Sequence, residues 1–458
     1  MADGALAARL REQGTRIAVI DDDPTGTQTV RDIPVITSWD AAEIAWALGA
    51  ADPLFAILTN TRALSERRAA QINRVIGARL AAAARALDVP VRVISRGDST
   101  LRGHFPAEPQ ALADGLNREG APVDLVVVCP AYPAAGRVTV NGLHLLRDGG
   151  GALTPIAETE FAADPAFAFR SSRLADWVLE RAGAEATVGA IGLDELRATD
   201  PGIVARRLRA LASSVRYVVV DAARDEDLAV LAAAVQEVED DGLRVLCRTG
   251  PAFVSARAGR AAAPPLTAGE VGAVDGPGLV VAGSFTALTT RQLDAARAAR
   301  PALATVELDV AALLADAGGH RAEILIDRTA VRLAAALDAG DAVLATTRRP
   351  LHAHAGEASL ASTERVADAV VAVVRAVAER VDLAWLVAKG GITSHDVAVR
   401  GLGVRRARVL GQLFAGQVSV WDPGPDSLRP GLRYVVFPGN VGDDLALART
   451  IDRLKGEG

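Results

Sequence analysis

Residues 91–104, VRVISRGDSTLRGH, hold the side chains of this chain best suited to chemistry. An apolar run at 91–94 reads as a buried strand. It leads into Ser95, Arg96, Asp98, Ser99, Thr100, Arg102 and His104, with glycines at 97 and 103. So many polar groups directly after a strand are poor material for a core. In open α/β sheets, ligands bind in the crevice beyond the carboxyl ends of the strands, where this loop would lie. Arginine grips a carboxylate or phosphate with a planar fork, while Asp and Ser bond sugar-like hydroxyls. The loop therefore suits a small, anionic, polyhydroxylated ligand. The bland alternative is a surface loop with a salt bridge.

Other loops repeat the pattern. The apolar run 17–20 leads into Asp21-Asp22-Asp23-Pro24-Thr25-Gly26-Thr27. Adjacent carboxylates repel one another, so a metal, an arginine or bound hydroxyls must compensate unless the turn is simply solvated. Asp21-x-Asp23-x-Thr25 also has the spacing of the haloacid-dehalogenase phosphatase nucleophile. That chemistry needs a downstream lysine and a paired acidic motif, but Lys389 is distant and Asp443-Asp444 follows a glycine loop of another kind. Asn60-Thr61-Arg62 follows the run 55–59 and reaches the same edge if the sheet is parallel, with a plain helix start as the alternative. Residues 129–137, with Pro130, Pro133 and Gly136, read as a rigid loop that shapes a wall rather than touching the ligand.

The second half carries glycine turns instead. Lys389-Gly390-Gly391-Ile392-Thr393-Ser394 follows one apolar run and Phe437-Pro438-Gly439-Asn440-Val441-Gly442 follows another, with Gly283-Ser284 after a third. Glycine lets the backbone approach a phosphate closely, and helix N-terminal amides favour anions. None has the GxxxxGK[ST] spacing of a P-loop. Singly, each could be a packing device; together they point to a nucleotide site. His352 and His354 lack further ligands at metal-binding spacing and read as solvated.

Positioning these loops requires strands that share an edge. Apolar runs at 17–20, 33–37, 55–59, 91–94, 125–129, 187–191, 217–221 and 243–247 alternate with helical stretches, among them 65–87. That alternation predicts a mostly parallel α/β sheet. Residues 149–165, rich in glycine and proline, read as a long excursion. Residues 261–278, with Pro264-Pro265, read as a linker. A second α/β unit follows, with strands at 279–282, 342–346, 383–387 and 434–437. A helical stripe of Val366, Ala369, Val370, Val373 and Val377 faces its core. The expected organisation is a first domain at 1–260, a linker at 261–278 and a second domain at 279–458, with a ligand cleft between the two domains.

A chain of 458 residues exceeds one ordinary core, and 50% hydrophobic residues can fill two. The formal charge of -6 gives no electrostatic case for nucleic acid or an anionic membrane. No run of apolar residues is long enough to span a membrane, and the N-terminus lacks the apolar core of a signal peptide, so a soluble cytoplasmic protein is expected. Cys129 and Cys247 sit in apolar runs and read as buried free thiols. Arginine is so abundant that a single arginine carries little information.

Taken in order, DDDPTGTQ, SRGDSTLRGHFPAE, CPAYPAAGRVTVNG, KGGITS and FPGNVG resemble the four-carbon acid sugar kinases, a family long recorded as of unknown function. The resemblance runs over residues 17–447. It implies a sugar-acid-binding first domain, a nucleotide-binding second domain, and ATP-dependent phosphorylation of a terminal hydroxyl on threonate, erythronate or a 3-oxo-tetronate. Carried over by position, substrate contacts fall on Asp22, Asp23, Arg62, Ser95, Arg96, Asp98 and Ser99. ATP contacts fall on Ser284, on Gly390, Gly391, Ile392 and Thr393, and on Gly439. Many members have DDFTGA around the first motif and a lysine where Arg96 stands, departures that bear on which acid is used.

On this reading Arg62 and Arg96 hold the substrate carboxylate. Asp98 orients or deprotonates the attacking hydroxyl, with Asp22 or Asp23 as rival base. Magnesium bridges the ATP phosphates, held largely by the nucleotide and water. The competing class is a non-catalytic sugar-acid or nucleotide sensor. Oligomeric state is left open, with a homodimer as the assembly considered.

Overall fold

The structure, a computed structural model, describes residues 2–23, 25–26, 30–200, 202–261, 263–272, 274–283, 286–315, 319–347, 357–415 and 417–457. The chain divides into two compact units, Met1–Ala263 and Pro264–Gly458.

Unit 1 contains β1 (Arg16–Asp21), β2 (Ile33–Ile36), β3 (Leu54–Leu58), β4 (Val91–Arg96) and β5 (Leu125–Cys129). It continues with β6 (Arg137–Val140), β7 (Leu143–Arg147), β8 (Leu153–Pro155), β9 (Val188–Ile191), β10 (Tyr217–Val220) and β11 (Val245–Thr249). Eight of these form a parallel sheet in the order β2-β3-β1-β4-β11-β5-β10-β9. β1, β3 and β5 are buried along all or nearly all their length, as a sheet covered on both faces requires. The chain leaves β1 toward β2 and β3 and then returns past it to β4. That reversal puts a topological switch point at β1, where ligands bind in open α/β sheets.

The helix Glu66–Leu87 buries Ala69, Ile72, Ile76, Leu80 and Ala84, one stripe at helical spacing. Ser65 stands at its N-cap with extended backbone but makes no side-chain cap bond. Phe105 stacks on Trp177 with centroids 4.6 Å apart and meets Tyr217 edge-on at 5.7 Å. Cys129 and Cys247 are buried free thiols, and burial pushes Cys129 up to about 12, so neither is a ready nucleophile.

Unit 2 contains β12 (Gly278–Ala282), β13 (Ala304–Leu308), β14 (Ala342–Thr346), β15 (Trp385–Lys389), β16 (Arg406–Phe414), β17 (Gln417–Pro423) and β18 (Arg433–Phe437). Their order is β13-β14-β12-β15-β18-β17-β16, parallel except for the β16–β17 hairpin, which runs antiparallel beside β18. β12 leads outward to β13 and β14, and the chain then crosses back to β15 on the other side of β12. The reversal between β12 and β15 is a second switch point. Val366, Ala369, Val370, Val373 and Val377 are buried along the helix Glu357–Ala378, as their spacing predicts.

Several local expectations are corrected. β4 continues through Ser95 and Arg96, and β11 runs to Thr249 instead of stopping at residue 247. The region read as an excursion belongs to an antiparallel sheet, β6-β7-β8, followed by short 3₁₀ turns at Ile156–Glu158 and Glu160–Ala163. The stretch read as a linker contains a one-turn helix, Ala268–Val271, with a Thr267–Glu270 capping box.

Candidate functional site

The site in unit 1 follows from strand register. Asp21 at the end of β1 lies level with Leu58 on β3 and Arg96 on β4, while Thr249 of β11 lies level with Arg96 and Cys129. The next residues of each strand therefore emerge at one carboxyl edge. The triple aspartate, Asn60-Thr61-Arg62 and the loop from Gly97 to His104 meet there, as their sequence positions predict.

Charges at this edge are paired with one another. Arg96 Nη1 donates to Asp21 Oδ1 at 2.8 Å, with both side chains almost fully buried. Arg62 divides its fork between Asp22 Oδ1 and Asp23 Oδ2, the latter at 2.8 Å. Such pairs persist in a dry interior because each charge would be costly alone. Both arginines thus balance aspartates at this edge. Asp98 accepts from Arg102 Nε at 2.7 Å and from the amide and hydroxyl of Thr100. Leu101, next in the loop, takes φ +67°, a left-handed backbone rare for a branched aliphatic residue.

The carboxylates differ in basicity for physical reasons. Burial pushes Asp21 up to about 6 from the usual 3.8, only partly opposed by Arg96. Burial also acts on Asp23, but Arg62, Arg96 and the Thr25 hydrogen bonds outweigh it and hold the group below the usual range. Asp98 goes further in that direction, where Arg62, Arg102 and Thr100 together overcome its burial. Glu108 is raised by burial despite Arg248. A buried Asp21 bonded to Arg96 is poorly placed to attack phosphorus as a haloacid-type phosphatase nucleophile would.

β7 holds the loop in place. His144 Nε2 donates to the Ser99 carbonyl at 2.8 Å while Nδ1 accepts from the Thr139 hydroxyl at 2.9 Å. With both nitrogens used and the ring buried, burial lowers the His144 pKa to about 4, so the imidazole is neutral near neutrality. Arg102 lies 5.2 Å above the Phe161 ring and 3.6 Å from Asp164, both beyond β8. The residues read as an excursion therefore brace the polar loop.

A pocket of about 290 Å³ opens beside this cluster, lined by Gly97, Asp98, Leu101, Arg102, Phe105, Val128, Pro130, Trp177, Arg248 and Thr249. Pro130 lines it, in accord with the wall-shaping loop expected there. Arg248, Thr249 and Glu108 escaped sequence reasoning. The signal for the first two was present: a polar pair at the end of an apolar run, followed by Gly250-Pro251.

Unit 2 has a different edge. Lys389 lies level with Ala282 on β12 and Phe437 on β18, which brings the three glycine turns to one end of the sheet. Lys389 is fully buried; its Nζ donates to the Pro438 carbonyl at 3.1 Å and lies 3.9 Å above the Phe437 ring. It thereby ties the turn after β15 to the turn after β18. Gly390 takes φ +113°, and the backbone at Gly283 runs against the Thr393 hydroxyl. The Gly439 carbonyl faces Thr286 and Thr289 hydroxyls at 3.4 and 3.5 Å. Ile392 is exposed. Ser284, His352, His354, Pro24 and Thr27 lie outside the described residues.

Known proteins align with this division. Residues 17–257 match the model of a sugar-binding N-terminal domain and residues 279–447 that of a nucleotide-binding C-terminal domain. The chain is 32% identical over 241 residues to the D-threonate kinase of Salmonella typhimurium, covering 53% of this chain and 51% of that protein. It is 31% identical over 266 residues to the D-erythronate kinase of Heliobacterium modesticaldum, covering 57% and 54%. A 3-oxo-tetronate kinase of Brucella melitensis is 30% identical over 228 residues, covering 48% and 47%. The chain spans about half the length of the curated relatives it matches. In fold, it resembles a Haemophilus influenzae protein with a TM-score of 0.63 at 18% identity, covering 95% of this chain and 99% of that one. A Salmonella typhimurium LT2 protein, provisionally named a tRNA synthase, gives 0.66 at 19%, covering 95% and 98%.

A two-domain α/β protein with a sugar-binding half and a nucleotide-binding half is the class that the fold and these matches define. The chain belongs to the four-carbon acid sugar kinase family.

Proposed function

We propose that this protein transfers the terminal phosphoryl group of ATP to a hydroxyl of a four-carbon sugar acid such as threonate, erythronate or a 3-oxo-tetronate. The observation that carries the reading is the pocket at the carboxyl edge of unit 1, lined by Asp98, Arg102 and Arg248 together with apolar residues. Its acids and cations match a ligand with both hydroxyls and a carboxylate. The kinase names of the relatives supply the reaction class.

In this reading Asp22, Asp23, Arg62, Ser95, Arg96, Asp98 and Ser99 make up the acid-binding edge. Asp98, held below the usual carboxylate range, stays ionised at neutral pH. It accepts a hydrogen bond from the attacking hydroxyl and aims its oxygen, a role of orientation more than of strong base. Asp22, whose Oδ2 is buried with no hydrogen-bond partner in the structure, is the rival acceptor. The turns at Gly390, Gly391, Ile392 and Thr393, at Ser284 and at Gly439 receive the nucleotide. Glycine-turn backbone amides suit phosphate oxygens, and exposed Ile392 offers apolar surface. Loose, in-line phosphoryl transfer asks a protein mainly for such positioning and charge neutralisation.

Asp21, Asp22 and Asp23 are each paired with arginine, which leaves the nucleotide phosphates as the main magnesium ligands in this reading. The ion is assigned to the nucleotide as it arrives. The decisive assay follows ADP release with ATP and magnesium over D- and L-threonate, D- and L-erythronate and their oxo forms. Turnover on one acid supports the reading. Silence throughout, with ATP bound, favours a sensor.

A further inference from the structure

The arginines named by sequence as carboxylate anchors are already occupied, which raises the question of what meets the negative end of the ligand. Arg62 spans two aspartates and Arg96 is bonded to Asp21; neither lines the pocket. Arg102 lines it, but its Nε is bound to Asp98 and its Nη1 faces Asp164. Arg248 is held differently. It stands next to last on β11, level with Ser95 and Val128, in the middle of the carboxyl edge.

Its Nη1 donates to Ser95 Oγ at 3.0 Å and to Glu108 Oε2 at 3.3 Å. Its Nη2 faces Asp22 Oδ2 at 3.7 Å, which is outside hydrogen-bond range. One side of the guanidinium is therefore fixed while the other has attraction without a bond. The loop also leaves room for it. A Cβ on Gly97 would fall 2.5 Å from Arg248 Cζ, and one on Gly103 would fall 3.2 Å from Nη2. Thr249, the next residue, lines the same pocket, and its hydroxyl is buried with no hydrogen-bond partner. A buried donor left unpaired is costly, so a ligand acceptor is the natural complement.

We propose that Arg248 and Thr249 receive the carboxylate of the sugar acid, with Arg248 Nη2 and Thr249 Oγ1 donating to its oxygens. Arg62 and Arg96 serve as internal counter-ions for Asp21, Asp22 and Asp23. This deepens the proposed function and rests on it. The arrangement makes Arg248 and Thr249 the residues that separate acids from neutral sugars, and it leaves the unpartnered Asp22 Oδ2 to accept a ligand hydroxyl.

The test is calorimetry on the full chain with D-threonate and D-erythronate, each beside its primary amide, which keeps the hydroxyls and lacks the charge. The wild type binds an acid far more tightly than its amide. In Arg248→Lys, which keeps the charge that Glu108 and Asp22 need, acid affinity falls at least thirtyfold or so while amide affinity holds, so the ratio collapses. Thr249→Val, nearly isosteric, weakens the acid roughly tenfold while amide affinity again holds, so the ratio falls here too. If Arg248→Lys lowers the melting temperature too far to assay, Thr249→Val decides alone. Acid binding with an unchanged acid-to-amide ratio in the variants overturns the anchor and leaves the kinase reading standing. A wild type that binds neither acid, while ATP still binds, overturns both.

Discussion

The two sheet edges are built from different materials, which under the proposed function would meet different ligands. In unit 1 the edge is made of side chains: Asp21, Asp22, Asp23, Arg62, Arg96, Asp98 and Arg248, most of them buried and ion-paired. In unit 2 it is made of backbone, with Gly283, Gly390 and Gly439 at the turns and a single buried lysine binding two of them together. A sugar acid differs from its relatives by the position of a hydroxyl, so it must be read by directional side chains. A polyphosphate presents repeated identical oxygens, and backbone amides at close approach suffice. Selectivity should therefore reside in unit 1, and unit 2 should be sensitive to backbone geometry.

The largest effect expected from breaking this comparison is on the side-chain edge. Asp98→Asn keeps the shape of the loop and removes its acceptor charge. Turnover should fall by 10²–10⁴, the usual contribution of a positioned acid–base group, while ATP binding by unit 2 is unchanged. Steady-state kinetics beside ATP titration will show this, and near-normal turnover would pass the role to Asp22 or Asp23.

Next comes the pH response of the paired charges, which sharpens the contrast because unit 2 has no such cluster among its described residues. Asp21 sits near pKa 6 in the folded chain against 3.8 unfolded, so the folded form holds the proton more tightly. Its stability term is complete below pH 3.8 and is lost as pH rises through 6. The span amounts to about 3 kcal/mol at 1.36 kcal/mol per pKa unit. Asp23 and Asp98, lowered by their partners, act the other way and lose stability as pH falls. Asp21→Asn removes the first term alone. Its stability relative to wild type, from urea melts, should therefore rise from pH 4 to pH 6.5. A constant difference would contradict the assignment.

The smallest effect belongs to the backbone edge. Gly390 takes φ +113°, where a Cβ is strained by about 1–3 kcal/mol. Gly390→Ala should raise the KM for ATP several-fold and leave acid affinity unchanged. Equal loss of both would remove the division of labour.

Most of the two sheets was legible because buried parallel strands are written as continuous runs of Val, Ile and Leu, as at Leu125–Cys129 and Ala342–Thr346. The same criterion hid part of the site. Strands that serve a ligand end in polar residues still on the ladder, so counting only apolar residues stopped β4 before Ser95 and β11 before Arg248. Arg248 was further masked by the abundance of arginine. The antiparallel β6-β7-β8 sheet was missed because its strands are short and only partly buried, with Asn141-Gly142 and a glycine-rich loop between them. Chemistry at the edges was visible in residue type. Which arginine faces which aspartate was not, since pairing depends on strand order, and strand order is invisible in a single sequence.

The most direct test is phosphorus NMR on a mixture of the full chain, ATP, magnesium and the acid that the panel selects. The account predicts a new phosphomonoester signal coupled to the terminal carbon's protons, growing in step with ADP. ADP accompanied only by inorganic phosphate would show hydrolysis without transfer to the acid, and would contradict it.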